Sequence, residues 1–254
     1  MSAPALLGRR MAAEAVGTFF LVLMGPGAIV VNALSGGAIT PLGIALAFGL
    51  VILVMVASLG HLSGAHLNPA VTLAFWSSGH FPAADVVAYI LAQCAGAAGA
   101  SLLTRAALGP AGHVGATLPT VSSGVAFGVE WTLSLMLMLV IMAAATDDRV
   151  TEGSAAVVVG ATVGLCALVG GPLTGASMNP ARSLGPALAG GGWDRHWIYW
   201  IAPVLGMQAA AHAYEWLRRA QRPHRDLRGE RLGVAGRLPM EPRSGPLNAG
   251  VDAI

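Results

Sequence analysis

The sequence contains no lysine, and charged residues of either sign are scarce. Asp, Glu, Lys and Arg together make up 10% of the 254 residues, whereas hydrophobic residues make up 55%. A typical soluble domain carries about 25% charged residues. The chain therefore has too little charge to cover a surface in water, and the composition points to a lipid bilayer as its solvent.

Cysteine is also rare, and both cysteines, Cys94 and Cys166, fall in apolar segments. A small buried side chain is a better interpretation of each than a disulfide or a metal ligand. His61 and His66 have no third ligand near them in the sequence, so a metal site is improbable. We expect no metal, no cofactor and no nucleic-acid partner.

Long apolar runs are abundant. Between Glu14 and Asp85 the only side chains that could carry charge are histidines. A helix needs about 20 apolar residues to cross a bilayer, and we place six such spans at residues 11–32, 41–60, 83–108, 121–145, 153–170 and 197–217. The apolar segments after Asn68 and Asn179 are too short to cross, which is typical of re-entrant half-helices.

The arginines predict the orientation, because positively charged segments stay in the cytoplasm. In a six-span arrangement Arg9, Arg10 and the eight arginines from Arg218 to Arg243 fall on one side, so both termini are expected in the cytoplasm of a multi-pass cell (plasma or inner) membrane protein. A signal peptide is disfavoured because Glu14 interrupts the first apolar run. Residues 221–254 read as a disordered tail, either a topology anchor or a contact for anionic lipid.

The chain contains an internal repeat. SGAHLNPAVTLAF at residues 63–75 aligns without a gap with TGASMNPARSLGP at residues 174–186. Because each half holds three spans, the second half enters the bilayer from the opposite side, which gives an inverted repeat. The predicted organisation is an N-terminus at 1–10, a membrane domain at 11–220 with halves at about 11–108 and 121–217, and the tail at 221–254.

Each repeat carries an Asn-Pro-Ala motif that predicts the start of a helix. Asparagine is a preferred N-cap residue, and proline is tolerated at the first helical position because its missing N–H would have no partner there. The motif residues are Asn68, Pro69, Ala70, Asn179, Pro180 and Ala181. With opposite entry directions, the two helix starts meet near the bilayer midplane. Irregular backbone at that depth requires burial in protein or a water-lined path.

Glu14 in the first span and Glu130 in the fourth occupy matching places in the two halves. They could relay protons, or they could accept hydrogen bonds from the backbone of the re-entrant loops. The second interpretation is favoured because a buried carboxylate needs donors.

HLSGAHLNPAVT, GPLTGASMNPARSLGPA and AEAVGTFFLV together resemble the major intrinsic proteins, the aquaporin and aquaglyceroporin family, and most closely its nodulin-like branch and bacterial relatives. The resemblance covers roughly residues 13–217. It implies an all-α hourglass of six transmembrane helices and two re-entrant half-helices, with residues 11–220 as the channel domain. It also implies a homotetramer in the lipid bilayer, with one pore per subunit.

The resemblance implies a selectivity filter at Phe48, Ala167, Ala176 and Arg182, with Asn68 and Asn179 facing the lumen. An arginine within the membrane is costly and marks a pathway by default. Water-selective members have histidine at the position of Ala167, so a wider ring is expected here. Aquaglyceroporins usually have aspartate at the position of Ser183, so the filter is mixed.

These features predict a passive channel for water and small uncharged solutes that excludes protons and ions. Glycerol-like polyols fit the filter, and urea, ammonia and neutral metalloid acids such as arsenous or boric acid are further candidates. A secondary transporter is the alternative, but it would normally carry a midplane acid for ion coupling. An enzyme is not expected, because the spans hold no nucleophile and base at usable spacing.

Overall fold

A computed structural model describes residues 3–146 and 152–219 of the chain, and within them the backbone forms helices and no β-strand. Residues Met1–Leu217 form one compact unit; of the unit that begins at Arg218, the structure describes only the last two residues of the final helix. The helices are α1 Ala3–Leu34, α2 Thr40–Ser63, α3 Pro69–Ser77, α4 Ala83–Leu108, α5 Ser123–Thr146, α6 Glu152–Thr174, α7 Pro180–Pro186 and α8 Ile198–Arg219. The predicted tail at 221–254 lies outside the described residues.

Five of the described helices are long and apolar enough to cross a membrane, namely α1, α2, α4, α5 and α6. The helix α8, predicted as the sixth span, does not belong to this set. Its middle and its C-terminal half carry Gln208, His212 and Glu215, which lower its mean hydropathy. Each predicted span nevertheless coincides with a helix in the structure.

The two half-helices α3 and α7 begin directly after the two asparagines. Asn68 and Asn179 have extended backbone, with φ of −158° and −151°. The side-chain oxygen of Asn68 accepts a hydrogen bond from the N–H of Ala70 at 2.9 Å, and that of Asn179 accepts one from Ala181 at 3.0 Å. These are N-cap bonds, so the asparagine and proline start a helix at both places.

Helix α1 is longer than predicted, since it begins at Ala3 rather than near residue 11. Arg9 and Arg10 lie inside it, because arginine is a good helix former and its charge does not end a helix. Helix α6 runs on to Thr174, past Pro172. Two short turns that the sequence did not predict follow α4 and α7, at Ala111–Gly115 and Ala187–Gly191.

The helices pack through small residues. Helix α1 packs against α2 and α4, and α2 packs closely against α6. A methyl group added at Gly96 of α4 would lie 2.2 Å from the carbonyl oxygen of Ala15, so only glycine allows this approach of α4 to α1. Gly49 and Gly160 provide the same close approach between α2 and α6. Close packing of this kind holds membrane helices together where hydrophobic collapse cannot.

Candidate functional site

The beginnings of α3 and α7 are joined by a reciprocal pair of hydrogen bonds. The side-chain amide of Asn68 donates to the carbonyl oxygen of Met178 at 2.8 Å, and that of Asn179 donates to the carbonyl oxygen of Leu67 at 2.8 Å. The two asparagines, distant in sequence, therefore lie side by side. A side-chain amide has two N–H donors, and each of these bonds uses one of them.

The loops that lead into the two half-helices have the same unusual backbone. Ala65 and Leu67 have φ of 45° and 51°, and Ala176 and Met178 have φ of 43° and 51°. A positive φ is uncommon for residues other than glycine and indicates that the surrounding structure imposes it. The same strain at matched positions in both halves shows that the repeat extends to backbone conformation.

Glu14 and Glu130 contact the backbone of these loops. The carboxylate of Glu14 accepts hydrogen bonds from the N–H groups of His66 at 2.9 Å and Leu67 at 2.7 Å. The carboxylate of Glu130 accepts from Ser177 at 2.9 Å and Met178 at 2.8 Å. Both glutamates are fully buried. The contacts supply the loop N–H groups with the acceptors that buried backbone requires.

Further buried polar residues that sequence reasoning did not assign support the same loops. The hydroxyl of Tyr89 donates to the carbonyl oxygen of Ser63 at 2.8 Å, and that of Tyr199 donates to Thr174 at 2.6 Å. Gln93 donates to Glu14 at 2.8 Å. The two tyrosines are 110 residues apart, close to the 111-residue shift of the sequence repeat, and this spacing was the available signal for their role.

The loop of the first half carries an imidazole where that of the second half carries a hydroxyl. His66 is hydrogen-bonded to Thr72 at 3.0 Å, and its ring packs against aromatic neighbours that include Phe75. At the matching places Ser177 contacts Ser183, which also accepts a hydrogen bond from Thr117 at 2.8 Å. Across the described residues no three His, Cys, Asp or Glu side chains are placed to hold a metal ion.

Two of the four predicted filter residues are in direct contact. The guanidinium carbon of Arg182 lies 4.9 Å from the centre of the Phe48 ring, over its face. Arg182 is 1% exposed and Phe48 is 4% exposed, so both are buried inside the helix bundle. Ala176 is also buried, and Ala167 on α6 is half-buried. The arrangement combines one aromatic side chain, one cation and two methyl groups.

Arg182 has donors that the protein does not use. Its Nη1 donates to the carbonyl oxygen of Gly115 at 2.8 Å. Its Nε and Nη2 are buried and have no hydrogen-bond partner among the described residues. Buried donors in proteins are almost always paired, so two unpartnered donor nitrogens, with three N–H groups between them, on one buried guanidinium are a feature to be explained by function.

Gly115 belongs to a turn that sequence reasoning missed. From Gly112 to Gly115 four successive residues have positive φ, between 50° and 75°. Two of them, His113 and Val114, are not glycine. The flanking glycines were the only signal for such a turn, and they do not reveal that its last carbonyl meets Arg182.

Two half-helices joined head to head inside a bundle of apolar helices define a channel-type integral membrane protein. The chain belongs to the major intrinsic protein family, because residues 2–214 match the model of that family. It is similar to Aquaporin NIP1-1 of Zea mays, with 46% identity over 220 residues that cover 86% of this chain and 78% of that protein. It is similar to Nodulin-26 of Glycine max, with 44% identity over 216 residues that cover 85% and 80%.

Among solved structures, the aquaglyceroporin from Plasmodium falciparum matches with a TM-score of 0.74 and 25% identity, over 82% of this chain and 96% of that one. The comparisons confirm the predicted family and the all-α hourglass fold. The protein is therefore a membrane channel for water and small solutes. Family membership sets aside the transporter and enzyme alternatives.

Proposed function

We propose that the channel passes water together with small uncharged hydroxylated solutes, and that Phe48, Ala167, Ala176 and Arg182 form the filter that selects them. The observation that carries the proposal is the pair of unpartnered donors on the buried Arg182 guanidinium, which faces one aromatic ring. A polyol hydroxyl can accept from those donors while its carbon chain lies against Phe48 and the two alanines. Glycerol-like polyols fit these features best, and urea, ammonia and neutral metalloid acids such as arsenous and boric acid share them in part.

Asn68 and Asn179 provide the next contacts along the path. Each side-chain amide donates one N–H to a carbonyl oxygen of the opposite loop, at 2.8 Å in both cases, and has a second N–H that remains available. A solute that leaves Arg182 can therefore donate to loop carbonyls and accept from the asparagines. Because each contact is weak and is soon replaced by another, the barrier to passage stays low. Glu14 and Glu130 hold the loops in place through the bonds described above.

The same elements oppose cations and protons. Each half-helix directs the positive end of its dipole, equivalent to about half an elementary charge, toward the place where the two meet. Arg182 adds a full positive charge on the first turn of α7, where its backbone N–H donates to the side-chain oxygen of Asn179 at 3.3 Å. A hydronium or metal ion meets this field in a narrow site of low dielectric, whereas a neutral solute does not.

The assembly proposed for the protein is a homotetramer in the cell (plasma or inner) membrane, with both termini in the cytoplasm. Exposed leucines and valines along the spans, such as Leu50, Val87 and Leu91, provide apolar surface for lipid and for neighbouring subunits. The arginine distribution supports the orientation.

The solute range is tested by stopped-flow light scattering of proteoliposomes that contain the purified channel. Water, glycerol, urea and boric acid are compared with protein-free vesicles, with and without imposed sodium and proton gradients. We expect water and glycerol flux above the lipid background, with no dependence on either gradient. Glycerol flux equal to that of empty vesicles, while water flux is raised, would contradict the proposed filter.

Replacing Ala167 with histidine should convert the filter toward water selectivity. The imidazole is larger than the methyl group and adds a polar partner at a position of the proposed filter, which narrows the ring. We expect glycerol permeability to fall by about tenfold, since one misfitting group in a tight pocket costs that much, and water permeability to fall less. Val169→His on the same helix, at a position that is 61% exposed, is the control and should leave the glycerol-to-water ratio unchanged.

A further inference from the structure

We propose that Gly25, on the first transmembrane helix, is a specificity-determining position of the channel. Its lack of a side chain allows the Phe48 ring to rest against the backbone of α1, and this resting place sets the position of the Phe48–Arg182 pair and with it the width of the proposed filter. The inference rests on the proposed filter, because it matters for transport only if solutes pass that ring.

The contact between α1 and the ring leaves no room for a methyl group. A Cβ added at Gly25 would lie 2.3 Å from Cε1 of Phe48, 2.6 Å from Cδ1 and 2.8 Å from Cζ. Three ring atoms would thus lie closer to the added Cβ than van der Waals contact allows. Leu21, one turn earlier on α1, lies in the same buried cluster as Phe48. The side of the ring that faces Gly25 is therefore closely packed.

The next residue of α1, Pro26, supports Arg182 through the turn that carries Gly115. A Cβ added at Gly115 would lie 2.6 Å from both the Cβ and the carbonyl oxygen of Pro26, so the turn that carries Gly115 rests on Pro26. The carbonyl oxygen of Gly115 in turn accepts from Nη1 of Arg182 at 2.8 Å. One dipeptide, Gly25-Pro26, thus contacts the aromatic ring directly and the arginine through its acceptor.

A side chain at position 25 must displace the ring away from α1. The ring already has the Arg182 guanidinium over its face at 4.9 Å, and it is 4% exposed. Displacement of the Phe48 ring therefore either narrows the proposed filter or breaks the contact between the ring and Arg182. Since packed side chains resist overpacking, a single methyl group at Gly25 acts on the filter without being part of its lining.

The experiment measures water and glycerol permeability of Gly25→Ala in proteoliposomes. We expect glycerol permeability to fall by about tenfold and water permeability to fall less. Gly27→Ala is the matched control, because Gly27 lies in the same helix and a Cβ there meets nothing within 4 Å. Both variants gain the same helix propensity, so only the contact with Phe48 distinguishes them.

Phe48→Leu and the double variant Gly25→Ala/Phe48→Leu separate the inference from the proposed function. The smaller Phe48→Leu side chain should raise the glycerol-to-water ratio on its own and restore glycerol flux in the Gly25→Ala background. If Gly25→Ala behaves like the wild type or like Gly27→Ala, the inference is wrong. If Gly25→Ala yields no functional protein, recovery by Phe48→Leu supports the inference and absence of recovery overturns it. If Phe48→Leu and Ala167→His both leave the ratio unchanged, the proposed filter itself fails.

Discussion

Replacing Glu130 with alanine should abolish channel activity and lower the thermal stability of the detergent-purified protein. The change removes the acceptor of three donors, which are the N–H groups of Ser177 and Met178 and the hydroxyl of Thr174. Each buried donor left without a partner costs about 1–3 kcal/mol. These donors also lie next to Ala176 in the strained loop. Without the carboxylate, the backbone that positions Ala176 in the filter is no longer held in place.

A graded series makes this prediction specific. Glu130→Gln should have an intermediate effect, because its amide oxygen can accept on one side while its NH2 group faces donors on the other. Asp194→Asn is the control, since that side chain is 62% exposed and pairs with Arg195 at the surface, where a salt bridge contributes only about 0–1 kcal/mol. Melting temperature and water permeability are measured for all three. A melting temperature of Glu130→Ala equal to that of Asp194→Asn would show that the carboxylate does not support the loop.

The half-helices were the most predictable part of the fold. Their starts depend on local chemistry, because an asparagine at the N-cap followed by proline at the first helical position favours a helix start. The inverted arrangement followed from the gapless repeat and from an odd number of spans per half. The structure joins Asn68 and Asn179 through each other's loops, as two helix starts that meet require.

The surroundings of Arg182 could not be predicted in the same way. Val114 is β-branched and would be assigned to a strand or an extended loop by propensity, yet it has φ of 56°. Contacts from distant parts of the chain impose this conformation, since the turn lies between Pro26 of α1 and the segment after α7, where Gly191 approaches the carbonyl oxygen of His113. A local pattern contains no information about such contacts. For the same reason, the role proposed for Gly25 could not be predicted from the sequence, because it depends on the contact of Gly25 with the Phe48 ring.

Replacing Arg182 with valine should give the largest change in selectivity. The variant loses the cation over the Phe48 ring and the two unpartnered donors, and it leaves the carbonyl oxygen of Gly115 without its partner. A cation about 4 Å from a fixed positive charge is repelled by roughly 4 kcal/mol at an effective dielectric constant of 20. Removal of that repulsion should raise cation leakage by at least about tenfold. The full effect of the lost charge is not expected, because the half-helix dipoles continue to repel cations.

The measurement is ion leakage across proteoliposomes, followed with a pH-sensitive dye and a potassium gradient, alongside glycerol and urea swelling. Arg105→Val is the matched control, since it removes the same charge from an exposed position on α4. We expect Arg182→Val to pass urea and larger polyols faster than the wild type, because the shorter side chain widens the ring. Unchanged leakage and unchanged solute range in Arg182→Val would mean that the guanidinium serves only to hold the turn at Gly115. Because Arg105→Val keeps the filter intact, leakage confined to Arg182→Val assigns the barrier to the guanidinium beside Phe48 and not to the net charge of the protein.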